Sequence, residues 1–333
     1  MTNLAEEISK VGKPLSRKDY QTDLEVRWCP GCGDYAILAQ FQKLLAATGA
    51  RKEEHVIISG IGCSSRFPYY VDTYGLHGIH GRAPAVAAGL KAVNPDLTVW
   101  VVTGDGDGLS IGGNQLLHAL RRNVDIKILL FNNEVYGLTK GQHSPTSPVG
   151  QRSRSNPDGN TDRPVNPLGF ALMAGATLVG RALDTDSAHL QEVLQAAAAH
   201  RGAAFVEILQ NCPIFNESPF EAMKSADNRL YLRPGEPMRF ADGVLRLDPA
   251  SLSLELSAGS PDEAAVHDAG NRTLARLLAD LDAPSLPTPL GVLYREERPV
   301  HHEALRAQVR QRGADGLGLL QSRLEAGAAW QVS

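Results

Sequence analysis

Short apolar runs bounded by glycine, proline and polar residues recur along the chain, with stretches of helical spacing between them. Residues Thr98-Val-Trp-Val-Val-Thr103 form one such run and Ile126-Lys-Ile-Leu-Leu-Phe131 another. Uninterrupted, β-branched stretches of this length are the pattern of strands buried on both faces. Between them Ile111, Leu116, Leu117 and Leu120 make an apolar face, and Arg121 and Arg122 occupy the last turn, which predicts a helix over 111–122. Residues 55–59 and 203–209 read as further strands, and 34–45, 168–174 and 188–199 as helices. Strand, turn, helix, strand is a βαβ unit. The pattern therefore predicts an α/β fold with a mainly parallel sheet and helices on both faces.

Beyond about residue 220 the pattern weakens. Residues 228–254 alternate polar and apolar positions around Pro234 and Gly243, predicting short strands, and 262–282 predicts one amphipathic helix ended near Pro284. On this reading 1–20 is an N-terminal extension, 21–220 the main domain, and 221–333 an extension packing on that domain or on a partner subunit. A polar stretch rich in proline, 143–166, interrupts the main domain. A loop of that length belongs either to a functional cover or subunit contact, or to a plain surface insertion.

Charge and composition narrow the setting. The 333 residues carry 33 Lys and Arg against 37 Asp and Glu, a net charge of −4, which gives no reason to expect nucleic acid or an anionic membrane surface as a partner. No apolar stretch approaches the roughly eighteen residues of a membrane span. The first ten residues lack the apolar core of a secretory signal, so a cytoplasmic location is expected.

Candidate chemistry gathers at the ends of the two best strands. Gly104-Asp-Gly-Asp-Gly108 follows the first, and Asn132-Asn-Glu-Val-Tyr-Gly137 follows the second. Turns at the carboxyl ends of neighbouring parallel strands lie side by side, so Asp105 and Asn133 can reach one cation. Magnesium wants hard oxygen ligands and commonly shares its shell with phosphates. Asp105 offers a carboxylate, Asn133 an amide oxygen and Val135 a backbone carbonyl. Gly106 and Gly108 allow close approach of phosphate oxygens, and the helix N-terminus that follows favours an anion. This is how thiamine-diphosphate enzymes hold magnesium and diphosphate. An ordinary βα turn with a capping Asp is the alternative, and the Asn pair on the next strand weighs against it.

Four cysteines complete the candidates: Cys29 and Cys32 in Cys-Pro-Gly-Cys, Cys63 after the 55–59 strand, and Cys212 after the 203–209 strand. A redox dithiol, a structural zinc site, a [4Fe–4S] cluster and scattered structural thiols all remain open from the spacing. A thiamine-diphosphate site alongside favours the cluster, because that cofactor generates electron-rich intermediates that a cluster can drain one electron at a time.

Trp28-Cys-Pro-Gly-Cys-Gly33, Gly60-Ile-Gly-Cys-Ser-Ser65, His77-Gly-Ile-His-Gly-Arg-Ala83, Gly104-Asp-Gly-Asp107 and Asn133-Glu-Val-Tyr-Gly-Leu-Thr-Lys-Gly-Gln142 together resemble the β subunit of 2-oxoacid:ferredoxin oxidoreductases, most closely the 2-oxoglutarate type. The resemblance runs in order from about residue 20 to 220, and Pro287-Thr-Pro-Leu-Gly-Val-Leu-Tyr294 also fits it. It implies a thiamine-diphosphate-binding fold, with Cys29, Cys32, Cys63 and Cys212 holding one [4Fe–4S] cluster. It places Mg2+ on Asp105, Asn133 and Val135. Contacts to thiamine diphosphate fall on Ile61, Gly62, Cys63, Ser64, Gly106, Asp107, Gly137 and Leu138, with His80 either near the cofactor or ordering its own loop.

The implied reaction is oxidative decarboxylation of a 2-oxoacid, with coenzyme A taking the acyl group and ferredoxin the electrons. A second carboxylate on the substrate needs a cation, and Arg66 and Lys140 are the candidates, with Leu138 beside them. Pyruvate-specific relatives carry Asn and Gly at the positions of Leu138 and Lys140. A pyruvate or broad-specificity oxidoreductase is the nearest alternative; a non-oxidative thiamine-diphosphate decarboxylase and a zinc-binding scaffold are the others. The family's cofactor-activating Glu lies on a companion α subunit, so an α2β2 assembly is expected and this chain alone should be inactive.

Overall fold

The structure, a computed structural model, describes residues 15–240, 243–248, 251, 253–257, 263–281, 286–311 and 316–327. Most of the 1–20 extension expected from the sequence therefore lies outside the described residues. In chain order the strands are β1 (His55–Ser59), β2 (Tyr74–His77), β3 (Thr98–Gly104), β4 (Lys127–Asn132), β5 (Leu178–Leu183), β6 (Ala204–Leu209), β7 (Arg229–Tyr231), β8 (Arg239–Phe240), β9 (Gly243–Asp248), β10 (Ser253–Ser257) and β11 (Thr288–Arg295). The helices are α1 (Asp34–Thr48), α2 (Ala83–Val93), α3 (Gly113–Arg121), α4 (Pro167–Ala174), α5 (Ser187–Ala199), α6 (Arg272–Ala279), α7 (His301–Gln311) and α8 (Gly316–Glu325).

Eight strands form one sheet in the order β2-β1-β3-β4-β6-β5-β11-β7, and β8, β9 and β10 form a small antiparallel sheet apart from it. Strands β1 to β6 pair in parallel, whereas β11 runs antiparallel to β5 and carries β7 parallel to itself. This is the mainly parallel α/β sheet that the apolar runs predict.

Side chains on a strand alternate between faces, and here both faces are covered. Val99 and Val101 of β3, with Ile128 and Leu130 of β4, join the core beneath α2, α3, α4 and α6. Trp100 and Val102, with Leu129 and Phe131, join the opposite core beneath α1 and α5. In that second core Phe41 of α1 meets Trp100 and Phe67 edge-on, with ring centroids 5.0 and 5.2 Å apart. Truncating an aromatic of this kind costs about 3–5 kcal/mol.

Local chemistry sets the helix ends. Asn166 caps α4 by accepting from Gly169 N at 2.9 Å, and Pro167 pre-sets the first turn. Asn271 caps α6 by accepting from Thr273 N and Leu274 N, both at 3.1 Å.

Two sequence expectations change. The predicted helix over 111–122 divides: Asp107–Ile111 forms a wide π-type turn and α3 begins only at Gly113. The turn takes Ile111 out of the helical register, leaving it 50% exposed rather than on the apolar face. The predicted helix over 262–282 shrinks to α6, because Val266 bridges to Pro237 and His267 bonds to Val292 O at 2.9 Å, which commits the preceding residues to the small sheet. Residues 262 and 282 of that prediction lie outside the described residues. Among the described residues no helix is long and apolar enough to cross a membrane.

Candidate active site

The carboxyl ends of β1, β3 and β4 converge on one cleft, lined by Ile61 to Ser64, Gly104 to Asp107, Asn133 and Val135 to Thr139. A single buried carboxylate ties these turns together. Asp107 Oδ1 accepts from Ile61 N at 3.0 Å, Gly81 N at 2.7 Å and His80 Nδ1 at 2.5 Å, while Oδ2 accepts from Thr103 Oγ1 at 2.6 Å. The side chain of Asp107 lines the cleft, yet both its oxygens are committed to holding the loops. His80 also lines the cleft and is oriented by that bond.

Asp105 is 2% exposed, and its Oδ2 accepts from Thr146 Oγ1 at 2.6 Å. Burial pushes its carboxyl up to about 6, only partly opposed by hydrogen bonds from Ser144 and Thr146. Among the described residues no Lys, Arg or His pairs with it. Across the cleft Asn133 Oδ1 accepts from Val135 N at 3.2 Å, and Asn216 Nδ2 fixes the Asn133 carbonyl at 2.9 Å. Glu134 between them has φ of 57°, a strained left-handed turn that lets Asn133 and Val135 both border the cleft. A buried carboxylate without a cationic partner, facing an amide oxygen and a turn of backbone, is a donor set that suits magnesium. Gly106 has no room for a side chain: a Cβ would fall 2.2 Å from Tyr136 Cε1, and the Tyr136 hydroxyl donates to Gly106 O at 3.1 Å.

The cysteines meet the same cleft from behind. All four are free thiols, and Cys63 itself is a cleft residue. A Cβ on Gly137 would lie 3.5 Å from Cys63 Sγ and 3.6 Å from Cys212 Sγ, so the two sulfurs flank this glycine. Burial, then the charges of Asp34, Cys212 and Cys29, push the Cys63 thiol up to about 12, with Arg66 opposing. Burial, Asp34, Cys63 and Cys212 likewise raise the Cys32 thiol, whose sulfur accepts from Gln210 Nε2 at 3.2 Å. Thiolates in such a place need a cationic centre to be stable, which an iron–sulfur cluster provides. Among the described residues no group of three or more His, Cys, Asp and Glu side chains could hold a metal ion; the four cysteines do not form a one-ion cage. Trp28 Nε1 anchors the Cys63 turn by donating to Cys63 O at 2.8 Å.

The structure separates the three residues considered for the substrate. Leu138 lines the cleft; Arg66 and Lys140 do not. Lys140 sits exposed with φ of 78° on the turn closed by Tyr136 N to Gln142 O at 2.9 Å. Arg66 Nη1 bonds instead to Arg27 O at 3.4 Å, on the cysteine side.

Several residues missed in the sequence belong to the site. Asp34 is 1% exposed and lines the cleft together with Cys63 and Asp105, with Oδ2 unpartnered; burial pushes its carboxyl up to about 7. Its position directly after Cys32-Gly33 was the available signal. Thr146, Ser144 and Ser147 come from the start of the long polar stretch, and Ser147 Oγ holds the strained Glu134 carbonyl at 2.7 Å. Behind them Glu207 accepts from Asn132 Nδ2 and from Arg181 Nε, each at 2.7 Å. Opposite charges embedded in two otherwise apolar runs, 178–183 and 204–209, are the trace of that pair in the sequence.

Comparisons with known proteins identify the family of the chain. The thiamine pyrophosphate enzyme family, C-terminal TPP-binding domain, matches residues 60–208. The chain is 52% identical over 338 residues to 2-oxoglutarate oxidoreductase subunit KorB of Mycobacterium tuberculosis, covering 98% of this chain and 91% of that protein. It is 46% identical over 198 residues to the β subunit of 2-oxoacid:ferredoxin oxidoreductase 1 of Aeropyrum pernix, covering 60% of this chain and 62% of that one. A solved 2-oxoglutarate:ferredoxin oxidoreductase from Magnetococcus marinus, with 2-oxoglutarate, coenzyme A and succinyl-CoA bound, superposes with a TM-score of 0.78 at 34% identity, covering 95% of this chain and 97% of that one.

Proposed function

This chain belongs to the family of 2-oxoacid:ferredoxin oxidoreductase β subunits that includes the KorB proteins, and from that premise we propose that it serves an enzyme converting 2-oxoglutarate to succinyl-CoA. Electrons leave in this reading through a [4Fe–4S] cluster to ferredoxin, in a cytoplasmic α2β2 complex. The observation that carries the proposal is the shared wall: one cleft is bordered by Asp105 and Asn133 on one side and by Cys63 on the other.

Thiamine diphosphate, when bound, supplies an electron sink for loss of carbon dioxide from a 2-oxoacid, and the cluster a one-electron acceptor. The residues of this chain bind and orient. Asp105, Asn133 and the Val135 carbonyl would hold Mg2+, and Gly106 would let the diphosphate approach the backbone. Ile61, Gly62, Cys63 and Ser64, which follow β1, and Gly137 and Leu138, which follow β4, would border the cofactor. Asp107 and His80 fix the walls. Cys29, Cys32, Cys63 and Cys212 would hold the cluster, and Gly137, lacking a side chain, leaves the space between two of their sulfurs.

The acids lining the cleft are Asp34, Asp105 and Asp107; none is a glutamate. In this reading the cofactor-activating Glu comes from the α subunit, and a cleft without one among the described residues is consistent with that. Ile79, Ile111 and Leu138 are exposed at 75%, 50% and 48%, and Ile79 and Leu138 adjoin or line the cleft, an apolar rim suited to being covered.

For the substrate, Lys140 on its exposed turn beside Leu138 is the better partner for a distal carboxylate. Arg66 is turned toward Arg27 O and lends its charge to the cysteine side. With one cation rather than two at the rim, a broad-specificity 2-oxoacid enzyme is the second reading. Co-expression with an α subunit, followed by assay of 2-oxoacids with coenzyme A and a viologen dye, tests both. Turnover that favours 2-oxoglutarate strongly is expected; equal turnover of pyruvate selects the second reading, and turnover by this chain alone contradicts both.

A further inference from the structure

A line of buried side chains runs under the carboxyl edge of the sheet from β5 to β3. Arg181 Nε donates to Glu207 Oε2 at 2.7 Å, Asn132 Nδ2 donates to Glu207 Oε1 at 2.7 Å, and Thr146 Oγ1 stands 2.9 Å from Asn132 Oδ1 and 2.6 Å from Asp105 Oδ2. All five residues are buried, with exposures of 8, 1, 4, 4 and 2% in the order Arg181, Glu207, Asn132, Thr146, Asp105. The register supports the first link, because Arg181 and Glu207 are direct partners across the β5–β6 pair.

The chemistry of the line is directional. Glu207 can only accept, so the Asn132 amide must present its nitrogen to Glu207 and its oxygen to the other side. That oxygen also accepts from Glu134 N at 3.2 Å, so both ends of the amide are fixed. Thr146 then faces two acceptors with one proton. The ionised carboxylate is the stronger acceptor and the shorter contact, so the hydroxyl donates to Asp105 Oδ2. One oxygen of Asp105 is thereby pinned, and the rotation of the carboxylate is set for the other.

Resting on the reading that Asp105 binds magnesium, we propose that Thr146 is a positioning residue for that ligand. Asn132, Glu207 and Arg181 form its rigid backing. The start of the long polar stretch is then part of the metal apparatus. Residues that orient a metal ligand commonly alter affinity by about 10–100-fold when removed.

The test titrates Mg2+ into the Mg2+-free α/β complex, its iron retained, at fixed thiamine diphosphate and follows cofactor binding by calorimetry. T146V removes the hydroxyl at nearly constant volume and is expected to raise half-saturating Mg2+ about tenfold or more, whereas T146S stays within about twofold. E207Q gives an amide that can accept at only one of two positions, so either Asn132 or Arg181 loses its partner; a rise of about threefold or more is expected. Cysteine-bound iron, unchanged across the series, reports an intact fold. Wild-type Mg2+ response in T146V, or in E207Q should T146V fail to fold, overturns the proposal. D105N separates the two levels: if it abolishes Mg2+-dependent binding while T146V is silent, only the positioning role fails. If D105N itself binds as wild type does, the assignment of the cation site fails.

Discussion

Replacing Asp107 with Ala removes the acceptor shared by four donors: Ile61 N, Gly81 N, His80 Nδ1 and Thr103 Oγ1. Two of these are backbone N–H groups in loops that border the cleft, and the carboxylate itself is 2% exposed, so water cannot replace it at low cost. A buried donor left unsatisfied costs about 1–3 kcal/mol, and a hydrogen bond to a charged group contributes about 1.5–3 kcal/mol. The bonds share one acceptor and are not additive. The Thr103 hydroxyl can turn to Gly104 O, 3.3 Å away. The expected loss for D107A is therefore about 3–5 kcal/mol, at the upper end of single substitutions. D107N is the informative partner. Its amide oxygen can keep the three donors now on Oδ1, and its nitrogen can face Thr103 Oγ1, so about 1–2 kcal/mol is expected from loss of charge alone. Denaturant unfolding of the α/β complex, with thiamine-diphosphate binding measured in parallel, separates the cases. If D107A unfolds within about 1 kcal/mol of wild type and binds cofactor normally, the view of Asp107 as the knot of the cleft is wrong.

Four further outcomes are expected. The His200 imidazole, bonded to Thr177 Oγ1 at 2.8 Å, is held down to about 4 by burial and then by Lys127 and Arg295, against 6.5 in the unfolded chain. Between those values the unfolded chain binds more protons, so stability rises with pH across that window and is lost on acidification. H200Q should flatten this limb in thermal melts recorded from pH 7 to 4, and an unchanged slope would assign the acid limb elsewhere. G106A keeps an allowed backbone, with φ of −66°, but drives a Cβ to 2.2 Å from Tyr136 Cε1; cofactor binding should weaken about tenfold or more in a Mg2+ titration, with little change in iron content. K140A should raise KM for 2-oxoglutarate about tenfold and leave that for pyruvate nearly unchanged. R66A, by contrast, should shift the cluster potential in the negative direction through loss of a nearby positive charge; a KM effect from R66A instead would return Arg66 to the substrate.

Much of the fold could be read from the chain because β3, β4 and β6 are apolar on both faces, a pattern few other elements share. The meeting of Asp105 and Asn133 at one cleft was legible for the same reason: both sit directly past the ends of such strands, so strand assignment sets their neighbourhood. Helical periodicity failed at Ile111 because a π-type turn adds a residue that periodicity does not register. It failed over 263–270 because pairing with β11 and the small sheet overrides local amphipathicity. β11 itself was recognised only as a familiar motif, although Leu290, Leu293 and Tyr294 are buried in the main sheet. Thr146 could not be read at all, since its role depends on a polar loop folding back 41 residues onto Asp105. Arg66 and Lys140 lie outside the cleft lining, for their side-chain directions come from turn geometry rather than from sequence distance.

The central claim is that the magnesium–diphosphate turns and the four cysteines form one working site. It is tested most directly by electron paramagnetic resonance of the anaerobic α/β complex, with iron and acid-labile sulfide measured on the same sample. Equal amounts of iron and sulfide, and a cluster signal that develops on adding 2-oxoglutarate with thiamine diphosphate and Mg2+, are predicted. C63S should lose that signal. An iron-free complex, or a cluster reducible by dithionite that no 2-oxoacid reduces, would contradict it.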